Sequence, residues 1–492
     1  MLPRRRIKTM KISEKLGLNK SQLELDFYDY EIGKDTYKFL DPYYIAKKED
    51  AFLAECNEYV ETFFNRFLYL LKYNERAAYE LFSHLGEVNE ICLGMSKGKP
   101  AGRGIGQVNA QSIFAAIKRS DAFQNGVAEG IEDVRVFVEG VDKDKISDMV
   151  ANIIKYPLMK YTEAQCDLFD IPMRNVESGY YWNKTTAQWE RGHHKMLVLE
   201  GCKYLLFPKN LISDSKYYCK DEYLRMYVLT YLQQENIDND THLVRKTYNK
   251  DGSLRTARVF KKDIIKDKES HGEFLTKNWL ARFTKDNPTV FEKFREDTIK
   301  KISDGETEGI TTEEIDDIIS RLIIELRNIP TGSENATNYH HLMSGILELL
   351  FYPYLNNPRL EHKIHDGRKR IDIAFNNVAE KGFLFVLSQN YGVPCPLIMF
   401  ECKNYTKDIT NPELDQMAGR FSPNRGQFGI ICCRALENKD LFIKKEQDTV
   451  RDKRGWIIHI TDEEIIELLE TRKQTNPIDE FLLKKFDEIN NG

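Results

Sequence analysis

The sequence predicts an α/β protein of more than one domain, and three observations carry that expectation. At 492 residues the chain is longer than one hydrophobic core usually serves. Helical and strand-like apolar patterns mix in the first region and the pattern is mostly helical over 222–326, whereas short apolar strand runs alternate with helical periodicity in the last third. The stretch 329–338, IPTGSENATN, gathers Pro, Gly, Ser and Asn and separates the two patterns. The expected organisation is an α/β region over 1–220 for recognition or regulation, a mostly helical connector over 221–330, and a further domain over 331–492.

From 50 to 85, Phe52, Leu53, Tyr59, Phe63, Phe64, Phe67, Leu68 and Leu71 follow a helical period. The basic, glycine-rich segment LGMSKGKPAGRGIGQ (93–107) comes next. Its Lys97, Lys99 and Arg103 are suited to a phosphate, but neither the G-x-x-x-x-G-K-[ST] loop nor the dinucleotide fingerprint is present, so the segment reads as a surface loop, with a nucleic-acid backbone contact as the alternative. A helix over 109–119, a strand over 134–139 and a helix over 146–154 are expected to follow. MLVLEG and then CKYLLFP read as strand, turn and strand. The connector should be helical, broken by polar loops at 249–253, 266–272 and 303–312.

Composition excludes several classes of function. The formal net charge of −5 argues against a protein that coats nucleic acid through bulk positive charge, so any such contact must be local. No run of about eighteen apolar residues offers a membrane span. The start, MLPRRRIKTMK, is basic without the apolar core of a secretory signal, and a cytoplasmic location is expected. The nine cysteines form no C-x-x-C pair, and Cys432 and Cys433 are adjacent; they read as reduced core or strand residues. The pairs His193–His194 and His340–His341 fit no H-E-x-x-H helix.

In the last third, a helix at 340–350 precedes a hairpin in which His365–Asp366–Gly367 turns into RKRIDIAF. A strand follows from Pro396 in PLIMFECKNY, then a helix in NPELDQMAGRF with Leu414, Met417 and Phe421 on one side, then the buried strand FGIICCR. Strand alternation sends Glu401 and Lys403 to one face and Phe400 and Cys402 to the other. If the strand carrying Asp372 lies alongside, two carboxylates and an ammonium converge where a hard divalent ion fits. Such an ion offsets transition-state charge in phosphodiester hydrolysis and lowers the pKa of the attacking water. The acid-x-base triplet alone carries little weight, since a chain of this composition holds about eleven by chance. Its place at the end of an apolar strand, after an Asp-bearing strand and a Glu-bearing helix, is the informative part.

With Asp372 in RIDIAF, Glu401-Cys402-Lys403 in IMFECKNY, Gln416 in ELDQMAGRF and Glu348 in ILELLFY, the region 338–460 resembles the PD-(D/E)XK superfamily, in particular its Mrr-like restriction-endonuclease branch. The resemblance implies a restriction-endonuclease-like core, a mixed β-sheet flanked by helices. It also implies hydrolysis of DNA with Mg²⁺ or Mn²⁺ held by Asp372, Glu401 and the Cys402 carbonyl, Lys403 handling the water, and Glu348 and Gln416 in support. The family's habit points to bacterial restriction or anti-phage defence. The 29-residue interval from Asp372 to Glu401 exceeds that of compact members, so an inserted hairpin over 376–392 is expected.

Arg370 should share the face of Asp372 and meet a phosphate, with Arg368, Lys407, Arg420 and Arg425 extending that surface. DNA is the expected partner, with a second copy of the chain or a defence-complex subunit such as an ATPase as further candidates. Other readings stay open at this point: a structural ion pair at a sheet edge, a non-catalytic binding module on the same fold, or a nuclease for RNA or branched DNA.

Overall fold

The structure, a computed structural model, describes residues 10–34, 36–86, 88, 90–93, 107–213, 217–303, 312–359, 373–473 and 477–490. The helix Ala51–Tyr73 starts where the Asp50 carboxylate accepts from the Leu53 N–H at 2.8 Å, and it buries Phe52, Leu53, Cys56, Tyr59, Val60, Phe63, Phe64, Phe67 and Leu70 along one stripe. Asn74 ends it and caps the next helix, Glu75–Phe82, through Ala77 N–H. Around these pack the helices Gln107–Arg119, Lys143–Ile153 and Lys155–Leu168. An antiparallel sheet of Arg174–Asn183, Gln188–Leu199 and Cys202–Tyr204 completes a core running from Ile12 to Leu211. Its second turn holds Glu200 and Gly201 at φ of 50° and 84°, as a tight two-residue hairpin requires.

The expected strand at 134–139 is instead the helix Ile131–Phe137. The β-branched run suggested a strand, but Glu132 and Asp133 occupy the first helical turn, and the Asp133 carboxylate accepts from the Glu129 N–H at 3.0 Å. Burial of Ile131, Val134 and Phe137 at helical spacing then outweighs intrinsic strand preference.

Residues 218–302 form a second core with Tyr43, Ala122, Val136 and Phe137. It is helical, as expected, except for a hairpin, Arg245–Tyr248 with Leu254–Arg258, around the 249–253 loop; the loop expected at 266–272 is instead helix as far as Ser270, and residues 304–311 of the loop expected at 303–312 lie outside the described residues. The helix Thr312–Asn328, placed by the sequence in the connector, belongs to the third domain. Its Ile319, Leu322, Ile323 and Leu326 are buried in that domain's core, because the apolar stripe needs a partner face and the sheet's helices provide one.

The third domain is a five-stranded mixed sheet. Across it lie Trp456–Thr461, Phe428–Cys433, Leu397–Lys403, Ile373–Asn377 and Leu355–Arg359. The first three run parallel, and the last two join as antiparallel neighbours. Alternation divides the side chains cleanly. Phe400, Cys402, Ile430 and Ile458 pack with the helices Ala336–Phe351, Asp462–Arg472 and Ile478–Asn490 on one face. Met399, Ile431, Cys433 and Ile457 pack with Leu414, Met417 and Phe442 on the other, where Phe421 also docks. The inserted hairpin expected over 376–392 is a helix, Phe383–Gln389, whose Phe383 N–H donates to Asp479 at 2.8 Å. Burial of Phe383, Leu384 and Leu387 explains why a helix fills the interval.

Candidate functional site

Glu401 and Lys403 project from the sheet's central strand on the face opposite Phe400 and Cys402. The Glu401 side chain is buried, 1 % exposed. Lys403 donates to its Oε1 at 2.6 Å, and Arg420, just past the helix Asn411–Ala418, donates to its Oε2. One carboxylate therefore holds two cations in the interior, an arrangement stable only because every ionised group there has a partner. The described antiparallel register ends at Phe400↔Ile373. Asp372 lies outside the described residues, as do Arg368, Arg370 and His365, and likewise Lys97, Lys99 and Arg103 of the glycine-rich segment.

At the carboxyl end of the same strand opens a cleft of about 470 Å³, lined among others by Ser333, His340, Lys403, Tyr405 and Lys407. Strand ends in open α/β sheets are where such crevices form and where ligands are taken up. Lys407, expected to meet nucleic acid, thus shares a cleft with Lys403. Arg420 does not form the outer surface expected of it: its side chain is 5 % exposed and turned inward onto Glu401, because a buried carboxylate attracts the nearest guanidinium more strongly than water does. Arg425 folds onto Ser422. It sits beside Gly426, which abuts the Leu397 carbonyl at the opposite end of the strand from Lys403.

Gln416 is half-buried on the helix that covers the Glu401 face. The Cys402 carbonyl, expected to face an ion, has the His340 ring Nε2 2.9 Å away. Glu348 is not brought to Glu401. Its helix packs on the Phe400 face, with the Phe351 and Phe400 rings 5.3 Å apart, and its Oε1 accepts from Lys209 of the first region at 2.7 Å.

Lys209 and Glu348 belong to a buried polar seam between the first region and the sheet domain, which the sequence did not reveal. Asp26 accepts from the Tyr161 hydroxyl and, at 2.9 Å, from the Asn357 N–H. Asp50 accepts from Asn210 at 2.9 Å and from Asn356, and the Lys209 ammonium lies 4.0 Å from the Tyr352 ring centre. Burial, reinforced by the nearby Glu348 carboxylate, lifts Asp26 from 3.8 to about 7. Burial also raises Glu348, against the pull of Lys209. No local spacing could have signalled these contacts, since Lys209 and Glu348 stand 139 residues apart.

Among the described residues no group of three or more His, Cys, Asp or Glu side chains has the arrangement of a metal site, and no helix is long and apolar enough to cross a membrane. Glu401 offers oxygen donors of the hard type that magnesium takes. Both are engaged by cations, so an ion would have to displace Arg420 or Lys403.

No curated protein and no solved structure matches the chain. Residues 17–219, essentially the first core and its sheet, match a family described as a domain of unknown function, DUF8370, and the sheet domain carrying Glu401 and Lys403 lies beyond the matched span.

Proposed function

We propose that the sheet domain is a magnesium-dependent DNA endonuclease of the PD-(D/E)XK type, serving bacterial restriction or anti-phage defence. The observation that carries this reading is the pairing of Glu401 with Lys403 on one face of the central strand, 2.6 Å apart, with Lys403 lining the cleft at that strand's end. Glu401 and Asp372 would hold the ion, which when bound offsets phosphate charge and acidifies a water. Lys403 would orient the attacking water and take up its proton once the ammonium releases one to solvent. Lys407 would meet a phosphate in the cleft, and Gln416, on the covering helix, would help orient the water. A second copy of the chain would supply the second site that cutting both strands usually needs.

The test is cleavage of plasmid, linear duplex, single-stranded DNA and RNA with magnesium or manganese and with EDTA, run beside Asp372→Ala and Lys403→Ala. A loss of at least about a hundredfold is expected in each variant. A folded Lys403→Ala protein that cuts at the parent rate would refute the assignment. One observation favours a second reading: both Glu401 oxygens already have cationic partners, as in a purely structural ion cluster on a non-catalytic binding domain. That reading expects DNA to be held equally well in EDTA and left intact under all conditions.

A further inference from the structure

The hairpin Arg245–Tyr248 with Leu254–Arg258 projects from the second core, which it meets through its second strand and the flanking Val244 and Val259. All four residues of its first strand are exposed, as are Leu254, Arg255 and Arg258 of its second. Only Thr256 and Ala257 of the ribbon are half-buried; a two-stranded ribbon packed so little is marginal in water, and this one carries an unusual charge. Residues 245–262 hold seven Lys/Arg against a single acidic residue, Asp251, in a chain whose net charge is −5.

Register sharpens the point. Arg245 pairs directly with Arg258 across the strands, a like-charge juxtaposition that disfavours the free hairpin. Asp263 engages Arg245 at 2.6 Å and Asp240 engages Lys246 at 2.5 Å. Lys250, Arg255 and Arg258 make no ion pair with another described residue. Tyr248 and Leu254, facing each other beside the turn, are 60 % and 55 % exposed. A ribbon of cations tipped by an exposed aromatic calls for a polyanion that also offers an apolar or stacking surface.

From this geometry we infer that the hairpin is a DNA-binding ribbon that enters the major groove of a B-form duplex. That groove is about 12 Å wide and admits a two-stranded β-ribbon, with phosphates on both rims for the flanking arginines. The major groove of an A-form RNA duplex is too deep and narrow for it. The inference deepens the nuclease reading by naming where the duplex is held, and it takes DNA as the substrate from that reading. It also answers the charge problem: an acidic chain binds nucleic acid through one local projection.

The experiment is fluorescence anisotropy of the full chain with a 20-base-pair DNA duplex in EDTA, over a range of salt, beside the RNA duplex of equal sequence. The variant Lys250→Glu/Arg255→Glu/Arg258→Glu is compared with Lys72→Glu/Lys444→Glu/Lys484→Glu, which makes the same charge change at exposed positions elsewhere. All six side chains are exposed, and circular dichroism checks that both variants fold. The hairpin variant is expected to bind DNA at least about tenfold more weakly, with the log–log salt slope smaller by about 2.7 for three lost phosphate contacts, while the control stays within about twofold to threefold. The inference falls if the parent binds no duplex, if the control weakens binding as much, or if RNA duplex is bound as tightly. Binding without cleavage would retire the nuclease reading alone. Cleavage with an unaffected hairpin variant would retire this inference alone.

Discussion

The Lys403 ammonium lies 2.6 Å from Glu401 Oε1, two residues back along the same strand, while Arg420 holds the other oxygen. Arg420→Ala would leave a carboxylate that is 1 % exposed with one cation instead of two. Removing one partner from a buried pair costs about 3–5 kcal/mol, and the surviving Lys403 puts the expected loss near the bottom of that range. Urea unfolding would show it as a lowered midpoint at unchanged slope. A midpoint within about 0.5 kcal/mol of the parent would mean that Arg420 is not seated on Glu401 in solution.

How far the sequence reached is visible at this same strand. Parity along IMFECK was enough to put Glu401 and Lys403 on one face, and Leu414 with Met417 was enough to seat the covering helix. Both are local, periodic properties. The inward turn of Arg420 depends on which carboxylate stands across from it, and the Lys209–Glu348 contact depends on how two regions dock. Neither leaves a mark in the spacing of residues. The strand expected at 134–139 failed for a related reason: the β-branched Val134, Val136 and Val138 speak for themselves locally, but the burial that decides their conformation is tertiary.

Gln416 separates a catalytic role from a structural one. It is half-buried and its side chain makes no hydrogen bond to another described residue, so Gln416→Ala should change stability by no more than about 0.5 kcal/mol. The nuclease reading nevertheless expects at least a tenfold slower cleavage of duplex DNA with magnesium. Equal rates for variant and parent would remove Gln416 from the site.

The buried seam around Asp26 makes stability depend on pH in a defined direction. Tyr161, Asn357, Lys209 and Glu348 all act on Asp26, which ionises near 7 when folded and near 3.8 otherwise. Below about 4 both states are protonated and the contribution is fully present. As pH rises towards 7 the unfolded chain ionises first, so stability is lost across that window and levels off above it. Asp26→Asn removes the titration. The variant should therefore gain on the parent between pH 4.5 and 7.5, by on the order of 3 kcal/mol at most. Urea midpoints at the two pH values measure the gap, and a gap that does not change between them would contradict the raised ionisation.

Arg295 ties the helical connector to the first region by the same physics. Its Nη2 donates to both oxygens of Asp133 at 2.9 and 2.8 Å, its Nε donates to the Tyr218 hydroxyl at 3.1 Å, and that hydroxyl donates to Asp133 at 2.7 Å. Asp133 is fully buried, whereas the arginine side chain is 32 % exposed. Arg295→Ala would strand the carboxylate with only the Tyr218 hydroxyl and the Glu129 N–H, at a cost of about 3 kcal/mol. Arg295→Lys keeps the charge but loses the planar guanidinium that donates to Tyr218 and Asp133 together, so it should cost an intermediate amount. Because Asp133 sits on Ile131–Phe137 and Arg295 on Pro288–Ser303, hydrogen exchange should speed up in both helices together in Arg295→Ala. Faster exchange confined to Pro288–Ser303, with Ile131–Phe137 as protected as in the parent, would show that this ion pair does not couple the two regions.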